Sequence, residues 1–133
     1  MHDFTKLYST LVLKHVAKPQ NMGKIKNPDG EAIVGNPVCG DIMKYYIKVG
    51  NGKDGPYIKD IKFQTLGCGA AIATSSILTT LVKGKTVDEA LKITKDNIIE
   101  VLGGLPTTKI HCSVLADKCF RKAVKNYRQM KIC

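Results

Sequence analysis

The sequence predicts an α+β domain in which a small, mostly antiparallel three-stranded sheet is packed with helices. Two runs rich in Ile, Tyr, Val and Phe, at residues 42–49 and 57–66, flank a turn-forming segment at residues 50–56, which is typical of an antiparallel hairpin. Helical patterns lie before and after this hairpin rather than alternating with strands, and that order indicates an α+β fold. With 133 residues, the chain is expected to form one domain over residues 1–133.

The elements before the hairpin are a helix and a short strand. Apolar side chains recur at helical spacing over residues 5–17, and Pro19 is expected to end this helix. Residues 20–30 are rich in turn formers, and residues 32–34 then form a short apolar strand. The segment from Gly35 to Asp41 therefore lies in a loop at a strand end.

Four helices are expected after the hairpin. The first covers residues 70–82, so that Cys68 lies at its N-terminus, and the second begins with a capping box between Thr86 and Glu89. The third covers residues 95–102 and ends at Gly103. The last covers residues 111–128, so that His111 and Cys112 open it.

Composition restricts the class of protein. The hydrophobic fraction is 44% and the charged fraction 24%, values of an ordinary globular protein, and no apolar run is long enough to span a bilayer. The N-terminus lacks the pattern of a secretory signal or an organelle leader. We therefore expect a cytoplasmic protein without a membrane partner, in which five cysteines serve metal binding or catalysis rather than disulfides.

The formal net charge of +10 raises the question of nucleic acid. All but two of the 21 basic residues are Lys, which lacks the planar fork of Arg for reading phosphates and guanine edges. No nucleic-acid motif is present, so the charge indicates solubility or docking on acidic proteins, and no nucleic-acid partner is expected. One face of the last helix carries a stripe of basic residues: Lys118, Arg121, Lys122, Lys125 and Arg128. We interpret this stripe as a solvated face in preference to a docking surface for an acidic partner.

Five residues form the candidate site: Cys39, Asp41, Cys68, His111 and Cys112. Each lies where an element begins or ends, and glycines beside Cys39 and Cys68 allow close approach of the backbone to a bulky inorganic centre. A helix N-terminus lowers the pKa of a cysteine thiol, and thiolates are the form that binds metal or accepts sulfur. The constellation therefore predicts a metal-sulfur site.

The ligand set restricts the metal without fixing it. Three sulfurs favour zinc, copper(I) or an iron-sulfur centre. The fourth ligand is Asp41 or His111, and both are poorer partners than a fourth cysteine for an iron-sulfur cluster. A weaker fourth bond suits a cluster that must leave. His111 and Cys112 are adjacent on a helix and could both reach one metal only at a frayed first turn, so ligand exchange between them is a hypothesis.

The chain resembles the iron-sulfur cluster assembly scaffolds of the IscU family and the N-terminal domain of NifU. The resemblance covers nearly the whole sequence. It is carried by four stretches: Pro19-Gln20-Asn21-Met22-Gly23, Gly35-Asn36-Pro37-Val38-Cys39-Gly40-Asp41, Gly67-Cys68-Gly69-Ala70-Ala71-Ile72-Ala73-Thr74-Ser75-Ser76 and Lys109-Ile110-His111-Cys112-Ser113-Val114-Leu115-Ala116.

The resemblance implies the IscU/NifU-like fold and a scaffold that is not itself a conventional enzyme. A cysteine desulfurase of the IscS or NifS type delivers sulfur, iron is added, and a transient [2Fe-2S] cluster is passed to apo-proteins. It places cluster ligation on Cys39, Cys68 and Cys112, completed by Asp41 or His111, with Cys112 as the sulfur acceptor and Asp41 as the residue that makes the cluster labile. Homo-oligomerisation in the cluster-loaded state stays open.

Two departures from the family pattern matter. Leu105 and Pro106, followed by Thr107, Thr108 and Lys109, keep only the ends of the family's Leu-Pro-Pro-Val-Lys stretch, which leaves a DnaK-type chaperone doubtful as a partner. Cys119 and Cys133 are extra, and they are interpreted as a core residue and a terminal thiol.

Lys109 and two alternative functions allow more than one interpretation of the sequence. Lys109 is either a surface charge or a residue beside the site. The alternative function is a zinc-bound sulfur relay of the SufU type, but the insertion that SufU proteins carry between Cys68 and Cys112 is not apparent. A small basic nucleic-acid binder is a distant third reading.

Overall fold

The computed structural model describes residues 10–36, 41–103 and 110–132. Within these ranges the chain forms α1 (Thr10–Ala17), β1 (Gly30–Asn36), β2 (Asp41–Gly52), β3 (Gly55–Leu66), α2 (Gly69–Val82), α3 (Val87–Ala90), α4 (Lys95–Val101) and α5 (Ile110–Ile132). None of the helices in these ranges is long and apolar enough to cross a membrane. The expectation of a single domain stays a prediction.

The three strands form one antiparallel sheet in the order β1-β2-β3, which confirms the predicted fold class. The hairpin is longer than expected, because β2 continues to Gly52 and β3 begins at Gly55. Pairing across Gly50 and Tyr57 thus occupies much of the segment that composition had assigned to a turn. The expected strand at residues 32–34 is likewise extended at both ends.

The two faces of the sheet differ in burial. Met43, Tyr45 and Ile47 on β2, together with Ile61 and Phe63 on β3, are fully buried, and α2 and α5 pack on this inner face. Strand residues two apart share a face, so Asp41 lies at the inner-face end of β2. The core therefore continues directly into the candidate site.

The small residues of α2 allow close packing on both sides of the helix. Ala70, Ala71, Ala73, Ser75 and Ser76 are all buried, and the Tyr45 hydroxyl donates a hydrogen bond of 2.8 Å to Ser75 Oγ. On α5, the side chains predicted to share one face are buried: Leu115, Cys119, Ala123, Val124 and Tyr127. Cys119 is fully buried, and burial raises its pKa to about 12, which confirms the core interpretation.

The ends of α3 and α4 are fixed by local hydrogen bonds. The capping box of Thr86 and Glu89 is present as predicted, and Thr94 forms a second one with Asn97 that was not predicted. Arg121 pairs with Asp117 at 2.7 Å and donates to the carbonyl of Leu91. At least this member of the basic stripe on α5 therefore serves internal structure.

Polar contacts tie α1 and the following segment to α2. His15 Nδ1 lies 2.7 Å from Ser76 Oγ, which also accepts a hydrogen bond from the Gln20 amide. Asn21 donates through its side chain to Thr79 Oγ1, and its carbonyl accepts from the Phe63 amide of β3. His15 therefore links α1 to α2.

The link through His15 predicts a pH-dependent contribution to stability. Burial, with a smaller effect of Lys14, lowers the pKa of His15 from its ordinary value of 6.5. The unfolded chain therefore takes up this proton at a higher pH than the folded chain does. The contribution of neutral His15 to the free energy of unfolding is fully present above about pH 6.5, and it is lost as the pH falls from there through the lowered pKa of the folded chain. His15→Gln should remove this part of the pH dependence.

Urea unfolding of wild type and His15→Gln at about pH 7.5 and about pH 5 measures the effect. We expect the wild type to lose more free energy of unfolding between the two conditions than the variant does. The comparison of the two proteins cancels the titration of all other groups. Equal losses would contradict this role of His15.

Candidate metal centre

The candidate centre lies where the start of β2 meets the starts of two helices. Asp41 is the first residue of β2, Cys68 is the N-cap of α2, and Cys112 lies in the first turn of α5. Antiparallel pairing places the end of β3, which leads into Cys68, beside the start of β2. Three positions far apart in sequence are thereby brought together at one end of the sheet.

The three side chains converge on a small volume. The Cys68 and Cys112 sulfurs are 3.8 Å apart, and Asp41 Oδ2 lies 3.3 Å from the Cys112 sulfur and 3.9 Å from the Cys68 sulfur. One ligand atom from each residue lies within 4.8 Å of the other two. Cys112 is fully buried and Asp41 is 4% exposed, whereas Cys68 is only partly buried.

Backbone geometry orients the Asp41 carboxylate. The amide of Cys68 donates a hydrogen bond of 3.3 Å to Asp41 Oδ1, which directs Oδ2 toward the thiols. A Cβ placed on Gly67 would overlap Oδ1 and lie 2.9 Å from Asp41 Cγ. Glycine at position 67 is therefore required for this close approach.

The protonation state of Cys112 differs from the expectation. Burial, the neighbouring Cys68 thiol and a hydrogen bond to Asp41 together raise the pKa of Cys112 well above its ordinary value. The prediction that the helix N-terminus lowers this pKa is wrong for the metal-free site, because desolvation beside other acidic groups outweighs the helix dipole. A bound cation would reverse the balance and favour the thiolate.

The spacing of these atoms fits a tetrahedral metal ion. With metal–sulfur bonds of about 2.3 Å, two sulfurs on such an ion lie about 3.8 Å apart, and the observed separation of the sulfurs is 3.8 Å. A donor set of two thiolates and one carboxylate is compatible with zinc or iron. The residues present therefore fit the predicted metal-sulfur chemistry.

The structure brings together three of the five predicted ligands. Cys39 lies outside the described residues, as do Leu105, Pro106, Lys109 and Cys133, and for His111 only the backbone in the first turn of α5 is described. Among the described residues, no disulfide bond joins Cys68, Cys112 and Cys119 to one another. Ligation by Cys39 and His111 stays a prediction.

An exposed apolar patch beside the centre was not predicted from the sequence. It consists of Ile33, Ile42 and Leu66, which are 53%, 44% and 72% exposed. Ile42 pairs directly with Leu66, and Ile33 lies diagonally across from Ile42 on the outer face of the sheet. The alternation of the strands could have predicted this patch, because each of the three residues lies out of phase with the buried residues of its strand and therefore points away from the core.

Comparison with known proteins agrees with this geometry. The family model for the NifU-like N-terminal domain matches residues 7–133. The iron-sulfur cluster assembly scaffold protein IscU 1 of Archaeoglobus fulgidus is 55% identical over 121 residues, which cover 91% of this chain and 76% of that protein. The chain belongs to the NifU-like N-terminal domain family. Within this family, IscU of Escherichia coli is 45% identical over 93% of this chain and 96% of its own length.

Solved structures support the fold of this family member. The N-terminal part of a NifU-like protein from Brucella abortus has a TM-score of 0.72 at 19% identity, covering 95% of this chain and 97% of that one. The SUF-system protein FiSufU of Fervidobacterium islandicum has the same TM-score at 22% identity, covering 92% of this chain and 99% of that one. At these identities the likeness shows the fold alone.

Proposed function

We propose that this chain is a scaffold on which an iron-sulfur cluster is assembled and from which it is passed to apo-proteins. The observation that carries this proposal is the convergence of Asp41, Cys68 and Cys112 within 4.8 Å at one end of the sheet. The relatives named as IscU scaffold proteins support it. The cluster is cargo, and the chain is not a conventional enzyme.

The proposed cargo is a [2Fe-2S] cluster held by Cys39, Cys68 and Cys112. Asp41 is proposed as the fourth ligand, because Asp41 Oδ2 lies 3.3 Å and 3.9 Å from two of the ligand sulfurs, and His111 stays the alternative. A carboxylate oxygen is a harder ligand than a thiolate and suits a soft iron-sulfur centre less well. A cluster bound in this way is held firmly enough to form and weakly enough to leave.

Sulfur reaches the site from a partner, for which a cysteine desulfurase is the proposed class. The thiol of Cys68 is the partly exposed one of the pair, and the patch of Ile33, Ile42 and Leu66 lies beside it. Exposed apolar surface of this kind is typical of protein interaction sites. We propose that a partner covers this patch while its persulfide reaches the thiols. Recipient apo-proteins, a DnaK-type chaperone and a cytoplasmic location stay predictions.

The second candidate is a zinc-bound sulfur relay. The separation of 3.8 Å between the sulfurs suits one zinc ion as well as one iron of a cluster. In a relay, zinc would remain bound while Cys112 carries sulfur to an acceptor. The two functions differ in whether iron can enter the site.

Anaerobic reconstitution with ferrous iron, cysteine and a desulfurase tests the proposal. The expected result is visible charge-transfer absorption with about two irons per cluster, followed by transfer of the cluster to an apo-ferredoxin. The matched control is Cys119→Ser, because Cys119 is a buried core thiol away from the centre, and it should reconstitute as the wild type does. Tightly held zinc that iron cannot displace, without visible bands, would instead support the sulfur relay.

A further inference from the structure

The two edges of the sheet differ in how far other parts of the chain cover them. On the outer edge of β3, the backbone of Phe63 bonds to the segment at residues 21–23, and that of Ile58 bonds to the segment at residues 84–85. The β1 edge has no such backbone cover from the described residues. Open backbone groups on an edge strand can accept a further strand from another chain.

The open part of the β1 edge lies at Ile33 and Gly35. In an antiparallel pair, alternate residues of an edge strand turn both backbone groups toward the neighbouring strand, and the residues between them turn both groups outward. The Glu31 carbonyl accepts a hydrogen bond of 2.8 Å from the Asn126 side chain of α5, so Glu31 is one of the outward residues. Ile33 and Gly35 follow it at two-residue intervals in an unbroken register. Within the described part of the chain, no group bonds to their outward amides and carbonyls.

A groove of about 290 Å³ lies at this edge. It is lined from β1, β2 and α5 by Glu31, Ala32, Ile33, Lys44, Lys122 and Asn126. Side chains alternate between the faces of a sheet, so Ile33 faces the outer side with its partner Lys44, whereas Ala32 faces the side on which α5 packs. A strand in the groove would therefore place alternate side chains beside Ile33 and beside Lys122.

The α5 side of the groove carries positive charge that the described residues do not neutralise. The two arginines of the basic stripe are held in ion pairs with Asp117 and Asp88. Its three lysines are exposed and form no ion pair within the described ranges: Lys118, Lys122 and Lys125. Residues three and four apart share a helix face, so all three lysines lie on one side. Their combined field attracts carboxylates.

We propose that this groove binds an extended, acidic segment of a partner protein, which adds to β1 as a fourth strand of the sheet. The backbone of the segment bonds to Ile33 and Gly35, its apolar side chains contact Ile33, and the carboxylates between them lie near Lys122. This interaction goes beyond the proposed scaffold function. It also gives part of the basic stripe a binding role, where the sequence indicated a solvated face.

A second copy of this chain is a less suitable occupant of the groove. Antiparallel pairing of β1 with β1 of another copy would bring the lysines of both α5 helices to one seam, and each chain carries a formal net charge of +10. Like charges that face each other across an interface oppose binding. An acidic segment avoids this repulsion because its carboxylates neutralise the same lysines.

A short labelled peptide that alternates valine and glutamate is the probe for the wild-type chain. Fluorescence anisotropy measures binding, and hydrogen exchange followed by NMR reports on individual backbone amides. We expect the peptide to bind and to slow exchange of the Ile33 and Gly35 amides at least about tenfold, because the added strand bonds to them. A peptide that alternates valine and lysine should not bind.

Two variants test the charge and the backbone separately. Lys122→Glu should weaken binding of the acidic peptide at least about tenfold. Ile33→Pro removes an outward amide that the β1–β2 pairing does not use, and it should abolish binding. Lys59→Glu is the matched control, because it makes the same change of charge at an exposed position of β3, and it should bind the peptide as the wild type does. Thermal unfolding checks that the variants fold.

Three results would overturn the proposal: no binding of the acidic peptide to the wild type, binding that leaves exchange at Ile33 and Gly35 unchanged, or equal losses of affinity in Lys122→Glu and Lys59→Glu. Sedimentation of the wild type without peptide tests the other occupant. A dimer whose formation slows the same two amides would assign the groove to a second copy and overturn the acidic segment. These measurements involve neither metal nor sulfur, so their failure would leave the scaffold function standing.

Discussion

Replacement of Asp41 by Ala is expected to lengthen the lifetime of an assembled [2Fe-2S] cluster at least about tenfold, which corresponds to about 1.4 kcal/mol in the barrier to loss. In the wild type, a buried carboxylate oxygen lies 3.3 Å and 3.9 Å from two sulfurs that become anionic when they bind iron. Like charges in a low-dielectric site repel one another. Removal of the carboxylate relieves this repulsion and removes the hard oxygen ligand.

The lifetime is measured from the decay of visible absorption after transfer of reconstituted protein to a chelator solution. Asp41→Asn is the matched variant, because it keeps the size of the side chain and an oxygen that can accept from the Cys68 amide. If charge causes the lability, Asn and Ala should behave alike. Faster loss of the cluster in Asp41→Ala would show that Asp41 holds the cluster rather than releases it.

Gly67→Ala is expected to weaken zinc binding by about 10–100-fold, the range found when groups that orient metal ligands are altered. The new methyl group would occupy the position of Asp41 Oδ1 and force the carboxylate away from the Cys68 amide. Since Asp41 lies at 4% exposure, it has little room to move without displacing the neighbouring thiols. Affinity is measured by competition with a chromophoric chelator.

Gly35→Ala is the matched control for this substitution. A Cβ at Gly35 would lie 3.7 Å from Ile42 Cγ1 and 3.8 Å from the Asp41 carbonyl oxygen, which is ordinary van der Waals contact. Gly35 pairs with Ile42, the residue after Asp41, so this substitution also lies close to the centre. Zinc affinity should be unchanged in this variant. Thermal unfolding of the metal-free proteins separates an effect on the centre from a general loss of stability, and equal affinities for the two variants would rule out the role given to Gly67.

The sequence predicted the elements whose signals are local. The richness of the two hairpin strands in Ile, Tyr, Val and Phe and the capping box at Thr86 each depend on residues within one segment, and the elements they predicted were confirmed. The length of the hairpin was underestimated, because Gly50 and Gly52 read as turn residues while the structure pairs them with Tyr57 and Gly55. A Cβ at Gly50 would contact the Tyr57 ring, so cross-strand packing explains a glycine that composition alone assigned to a turn.

In the centre, too, the features that depend on neighbouring residues in the sequence were predicted, and those that depend on contacts between distant residues were not. The starts of α2 and α5 predicted where Cys68 and Cys112 lie, and Asp41 was predicted to lie at the end of an element. The raised pKa of Cys112 was missed, since it depends on burial and on residues that approach only in the folded chain. The link between His15 and Ser76 was missed for the same reason, because a helix pattern does not specify which side chain its polar residues meet.

The meeting of three distant positions makes the centre a cross-link of the fold. Asp41 and Cys68 are 27 residues apart, Cys68 and Cys112 are 44 apart, and Asp41 and Cys112 are 71 apart, so one bound metal closes loops that span the sheet, α2 and α5. A ligand that binds only the folded chain at 100 times its Kd adds about 2.7 kcal/mol to stability. Loss of the bound cluster therefore removes a cross-link between β2 and two helices, and the chain is less stable after delivery than before it.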